Sequence, residues 1–288
     1  MNTLTRSSRL LCPRCSRLAP VYIPSRRFTA QSVLRAQVAP GPALSQTNRA
    51  EITLRRFWKT VHIKREEDGT YQITLDHRNL KTPSGALLRV PPQRRLLALL
   101  VAHEWDNQDE VLKQHALPLT SLASRAIDGL SNDQTRQRVI DDLLRYLETD
   151  TICFPSDRPD ALVRLQKEHW DPLHQWLKDE YGVQLVLAEG FAPARQSEET
   201  VKVLRGLVEK MDNFELAAFE RAAYASKSFV IALALCTGRL SADAAAHAAH
   251  VEVTSQIEKW GEVEDTHDVD HHDIRRSLGS AACALVKV

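Results

Sequence analysis

No aspartate or glutamate occurs before Glu51, and the first fifty residues contain no lysine either. In a chain that is 26% charged, a gap of that length reflects selection. Eight arginines (Arg6, Arg9, Arg14, Arg17, Arg26, Arg27, Arg35 and Arg49) and ten serines and threonines occupy the same stretch. An N-terminal segment rich in Arg and Ser and free of acids has the composition of a mitochondrial targeting sequence. A basic tail that binds nucleic acid has the same sign of charge, but this run is lysine-free and stops abruptly. Arg26-Arg27-Phe28 reads as a processing signal, which places the expected mature N-terminus near Thr29 and makes residues 1–50 presequence and linker. The segment also masks the charge of everything after it. It holds eight of the 38 basic residues and none of the 37 acidic ones, so residues 51–288 carry 30 against 37, about −7. That sign argues against nucleic acid or an anionic membrane surface as the main partner.

Long apolar runs are missing as well. The most apolar stretch, Phe229 to Cys236, is eight residues, whereas a membrane span needs about twenty, so no membrane insertion is expected. The chain has only five cysteines. Cys12 and Cys15 form a C-x-x-C in the segment expected to be removed, without a second ligand pair. Cys153, Cys236 and Cys283 stand singly in apolar settings, as buried free thiols of a reducing compartment do. The chain has no G-x-x-x-x-G-K-[S/T], no G-x-G-x-x-G and no G-x-S-x-G. It therefore offers neither a phosphate cradle nor a nucleophile elbow, and no cofactor is expected.

What is present divides into two patterns. Phe57, Val61 and Ile63 alternate with polar residues, Asp68-Gly69 makes a turn, and Tyr71, Ile73 and Leu75 alternate again, which is the signal of a β-hairpin. Leu87, Leu88 and Val90 suggest a third short strand, closed by Pro91-Pro92 at a helix start. Leu97, Leu100, Val101 and Trp105 then recur at helical spacing, so Trp105 is expected in the structural core. From Ser121 onward the period is helical. Ser131 to Gln134 resembles a capping box ahead of Val139, Leu143 and Leu147. Asp171-Pro172 interrupts one helix and restarts another, with Asp171 as the expected N-cap. Val183 to Leu187 suggests a short strand, and Ser197 opens a further helix. Phe214 to Thr237 reads as one helix buried in a bundle. The stripe Ala249, Val253, Ile257 and Trp260 ends at Gly261, with Trp260 also expected in the core. The predicted class is α+β: a β-rich N-terminal domain over residues 51–120, then a larger all-α domain over 121–288.

Few residues suggest chemistry. His103-Glu104 starts like a zinc-protease helix, but no second His follows at the required offset, leaving a surface pair beside Trp105. The cluster His267, Asp268, Asp270, His271, His272 and Asp273 could bind a divalent ion and so serve a metal-dependent mitochondrial hydrolase. The same acids also suit the capping of a helix that begins before Ile274, in which case no metal is bound. Glu252 lies about 100° from Val253 on its helix, at the edge of the apolar stripe.

Several motifs together resemble a known family. Leu75-Asp76-His77-Arg78-Asn79-Leu80-Lys81-Thr82-Pro83 is similar to the signature of the mitochondrial chaperones that assist assembly of ATP synthase by handling its α subunit. The resemblance continues through Arg56-Phe57-Trp58-Lys59, Glu104-Trp105-Asp106-Asn107-Gln108, Leu117-Pro118-Leu119-Thr120, Asp150-Thr151-Ile152-Cys153, Trp170-Asp171-Pro172 and Trp260 to Asp268. These span about residues 55–270 in family order, and the C-terminal form looks fungal. The resemblance implies a monomeric matrix chaperone rather than an enzyme, with the unassembled α subunit as partner and its β-facing surface shielded until assembly. It also implies that an acidic residue in the helix before the Trp-Gly pair binds the partner, and Glu252 is the matching position.

Overall fold

The computed structural model describes residues 55–188, 190 and 192–288. The targeting segment, its processing site and Cys12 and Cys15 lie outside the described residues. The hairpin signal around Asp68-Gly69 is realised as β1 (Val61–Arg65) and β2 (Tyr71–Leu75), antiparallel with Ile63 opposite Ile73. Gly69 turns at a φ of 83°, in the region glycine enters without strain. The other edge of β2 pairs with β3 (Arg78–Asn79) and β4 (Arg89–Val90). Leu87 joins this edge through a bridge to Lys81, so the expected third strand is shorter than its apolar run.

Ile73, Leu75, Leu88 and Val90 turn into the core against α1 (Arg95–Asp106), which buries Leu97, Ala98 and Val101. Several motifs of the sequence are fasteners in this region. Arg56 donates to the carbonyl oxygens of Asp106 (2.9 Å) and Gln108 (2.5 Å), carbonyls that a helix C-terminus leaves unpaired. Trp58 is buried and its indole donates to the Trp105 carbonyl at 3.2 Å. Glu104 is half-buried and is not a mere surface pair with His103. Its carboxylate accepts from Leu119 N (2.6 Å), Thr120 N (2.8 Å) and Thr120 Oγ1 (2.7 Å). It thereby caps α2 (Pro118–Ser124), whose first turn has no acid of its own.

The helical elements follow as α3 (Asp133–Arg145), α4 (Asp160–His169), α5 (Asp171–Tyr181), α6 (Glu198–Glu209), α7 (Asn213–Ser226), α8 (Phe229–Cys236), α9 (Ala242–Ala249), α10 (Val251–Trp260) and α11 (Thr266–Leu285). α2 runs on into a wider π turn over Arg125–Gly129. This architecture fits the α+β class. One apolar core runs from Trp58 and Ile73 under the sheet to Leu278 and Ala284 of α11.

Five local expectations are corrected. The cap of α3 is Asn132, accepting from Thr135 N, one residue beyond the Ser131 expected. Asp171 lies in the first turn of α5, after Trp170 at the N-cap. Val183 to Leu187 forms no strand: Val183 and Leu185 are buried, but the segment has no strand partner among the described residues. The run from Phe214 to Thr237 is two helices, because Lys227 adopts a left-handed φ of 54° and Ser228 caps α8 through Ile231 N at 3.0 Å. The acids from Asp268 to Asp273 cap nothing, since α11 already begins at Thr266.

A buried cation lies where the end of α11 meets the start of α7. Arg94 is 0% exposed; it bonds the Ala284 carbonyl at the end of α11 and reaches Asp212 Oδ2 at 2.6 Å. Lys287 pairs with Glu215 at 2.5 Å, and Val288 N donates to the Gln93 carbonyl at 2.8 Å. The end of α11 is thus bound to the segment that opens α1.

Candidate functional site

α10 places Glu252 on one wall of a cleft whose volume is about 690 Å³. Two contacts brace that wall. Trp170, buried before α5, donates its indole N–H to the Ala248 carbonyl at 2.8 Å, holding the elbow between α9 and α10. Arg164 of α4 grips Glu258 of α10 at 2.7 and 2.9 Å. The floor is made of small apolar side chains, Ala217, Ala225, Ala249 and Val253, which keep the cleft open.

The wall opposite is basic and comes from α2 and α7. Arg125 forms a two-pronged pair with Glu220, Nε to Oε2 at 2.8 Å and Nη2 to Oε1 at 2.7 Å, a bond that raises the arginine's pKa. Arg221 donates to the Pro118 carbonyl (2.8 Å) and Ser121 Oγ (3.1 Å), and burial lowers its pKa. Lys227 projects from the left-handed link between α7 and α8. Thr151 anchors that link by donating to the Lys227 carbonyl through its N–H (3.2 Å) and its hydroxyl (3.0 Å). Behind it, the fully buried Asp150 accepts from Val230 N (3.0 Å) and Ile152 N (3.2 Å); burial outweighs these bonds and pushes its pKa up to about 6.

The acids of the cleft differ in one respect. Glu220 has Arg125 and Asp273 has Arg276 at 2.5 Å, while Asp270 has the His250 ring at 3.3 Å, an imidazole whose pKa burial lowers. Glu252 is exposed and makes no ion pair among the described residues. A free carboxylate on a braced helix, facing a polar wall across a small-residue floor, suits a cationic or hydrogen-bond-donating group on an incoming polypeptide.

The other candidates fall out differently. Trp105 is half-buried against the core, its ring tilted 55° to that of Trp58 at 5.0 Å between centroids, with its indole donating to Thr120 Oγ1 at 3.0 Å. Trp260 is not in the core: it is 71% exposed, with Lys259 Nζ 4.9 Å from its ring. It is the last residue of α10, and Gly261 turns the chain away at a φ of 85°, so no element covers the indole. The His267 to Asp273 cluster is spread around two turns of α11. His267 Nδ1 accepts from Val263 N at 2.9 Å, and among the described residues no three His, Cys, Asp or Glu side chains converge as metal ligands would. The metal-dependent hydrolase reading is not favoured. The sequence does not single out Arg125, Glu220 or His250, and it offers Asp270 only as a metal ligand or a helix cap. Glu220 and Arg221 stand out only as charges in the otherwise apolar run of α7, and their pairing partners are remote in sequence.

Residues 55–178 match the family model described as ATP12 chaperone protein. The chain is 37% identical over 238 residues to the mitochondrial atp12 protein of Schizosaccharomyces pombe, covering 80% of this chain and 81% of that one. It is 31% identical over 283 residues to the mitochondrial ATP12 protein of Saccharomyces cerevisiae, covering 84% and 87%. The crystal structure of Atp12 from Paracoccus denitrificans superposes with a TM-score of 0.70 at 32% identity, covering 82% of this chain and 98% of that one. The Atu1473 protein of Agrobacterium tumefaciens gives 0.72 at 31% identity, covering 86% and 91%.

Proposed function

Because the chain belongs to the ATP12 chaperone family, we propose that it binds the unassembled α subunit of ATP synthase in the mitochondrial matrix. It covers the surface that later meets the β subunit and delivers α to the catalytic hexamer. It is a chaperone and not an enzyme, and it acts as a monomer. The helical part, residues 121–288, holds the client. The location is supported by the two yeast relatives, both named as mitochondrial, and by the acid-free N-terminal composition.

One observation carries the site assignment. Glu252 is an exposed cleft acid with no charged partner among the described residues, whereas Glu220 and Asp273 are each paired with an arginine and Asp270 has the His250 imidazole beside it. It stays hydrated in the free chaperone and meets a donor on the α subunit when the cleft fills. The test is Glu252→Lys. A single exposed charge change shifts stability by about 0.5 kcal/mol at most, so thermal melting should be unchanged. Loss of a desolvated charged contact costs about 2–5 kcal/mol of binding, at least about 30-fold in affinity. Co-expressed α subunit should then fall out of the soluble fraction. Should the variant keep α soluble as well as the wild type does, Glu252 is only a solvated helix glutamate.

A further inference from the structure

The chain has a second recess whose lining shares no residue with the Glu252 cleft. Leu75, Leu80, Leu87 and Trp105 form the apolar surface of a pocket of about 540 Å³ beside the sheet. Its edge carries Phe57, 61% exposed, although its neighbour Trp58 is buried. The charged residues of the lining are Arg78 and Lys81, both exposed, and no acid is among them. Arg78 lies over the Phe57 ring at 5.5 Å, so cation and aromatic edge form one surface. Such a basic rim stands out on a protein whose residues 51–288 carry about −7.

The turn that presents this rim is held under constraint. Asp76 opens the two-residue loop between β2 and β3 with a φ of 53°, a conformation that suits primed hairpin turns and that glycine enters most cheaply. Its carboxylate accepts from Thr60 N (2.9 Å), Lys59 N (3.0 Å) and Thr60 Oγ1 (3.0 Å), which ties the loop to the approach of β1. The turn therefore presents Arg78 from a fixed backbone. β3 pairs with β2 alone, so its outer edge has no strand partner among the described residues. An open strand edge beside an apolar pocket suits a polypeptide, which can add main-chain hydrogen bonds, better than a lipid or a small molecule.

From these features we infer that the pocket between Phe57 and the β2–β3 turn docks a partner polypeptide through an apolar side chain flanked by carboxylates. The acids pair with Arg78 and Lys81 while the apolar group covers Leu80 and Trp105. The chain's own N-terminal fifty residues are excluded by sign, since they carry eight arginines and no acid. This contact stands apart from the Glu252 cleft and does not depend on its assignment.

The probe is a fluorescein-labelled peptide with a central Phe and Asp on both sides, set against its counterpart with Lys in place of Asp. Anisotropy is read with the full chain. The acidic peptide should bind, with affinity falling as salt rises from about 50 to about 500 mM, and the basic peptide should not. Arg78→Glu with Lys81→Glu should weaken binding by about tenfold or more at unchanged melting temperature. Phe57→Ser, a change at an exposed ring, should also weaken it, while Glu252→Lys leaves it unchanged. Equal binding of the two peptides, indifference to both pocket variants, or equally tight displacement by decanoate would overturn the inference, the last by assigning the pocket to lipid.

Discussion

The Arg125–Glu220 pair allows a prediction whose sign depends on which partner is removed. Glu220 keeps 11% of its side-chain surface in solvent and Arg125 keeps 40%. Replacing Arg125 with Met leaves a carboxylate with almost no water, no bonded counter-charge and only the field of Arg221. Breaking a buried pair in this way costs about 3–5 kcal/mol, and the open cleft places this case near about 3. Replacing Glu220 with Gln leaves the arginine free to hydrate from the cleft, and about 1 kcal/mol is expected. The double variant should be more stable than Arg125→Met alone, because the orphaned charge is gone. Gly129 provides an independent probe. A Cβ there would fall 2.7 Å from Arg125 Nη1 and 3.2 Å from its Cδ, in a guanidinium already pinned by two bonds. Helix propensity alone favours Gly→Ala by about 1 kcal/mol; the clash predicts that Gly129→Ala destabilises instead. Urea unfolding of the four variants gives the differences directly. If Glu220→Gln costs as much as Arg125→Met, or the double variant is additive, unequal desolvation does not govern the pair.

The remaining predictions concern single residues. Burial raises the Asp150 pKa from the usual 3.8 to about 6, so the native state holds this proton more tightly than the unfolded chain does. Its contribution is complete below about pH 4 and lost as pH rises through about 6, in total about 3 kcal/mol. Measured against Asp150→Asn, which has no such titration, wild-type urea stability should rise by about 1.5 kcal/mol between about pH 8 and about pH 5; a flat difference refutes the assignment. Trp105→Ala removes a half-buried indole and its bond to Thr120, and should cost about 2–4 kcal/mol, seen as a lower melting temperature and less soluble protein. Trp260→Ser, at an indole that is 71% exposed, should change the unfolding free energy measured in urea by no more than about 0.5 kcal/mol.

The parts of the fold legible in the sequence were those set by short-range chemistry. Asp68-Gly69 between two alternating runs marked the hairpin, and Pro91-Pro92 marked the 3-10 turn that leads into α1. The break between α7 and α8 was not legible. No glycine or proline marks it, and the Ser228 cap is reinforced by Asp150, 80 residues away from Val230, which accepts from the first turn of α8. Trp260 misled for a related reason. A stripe at helical spacing shows which face is apolar, not how far along the helix a neighbour covers it, and cover ends before the last turn of α10. In the cleft, Glu252 was visible as an acid at the edge of a stripe. The wall it faces was not, because Arg125 and Glu220 are 95 residues apart and only the tertiary fold brings them together.

The anchoring of α11 bears on the order in which the molecule can form. Arg94 is buried only where Ala284 and Asp212 surround it. A growing or threading chain exposes the sheet and α1 long before residue 284 appears. Until then the guanidinium has neither the carbonyl nor the settled carboxylate that compensates its burial, and the apolar faces α11 will cover on α7 stay open to solvent. A partly emerged chain is therefore itself an aggregation-prone species with exposed core surface. A member of a chaperone family thus passes through a stage in which its own core needs shelter.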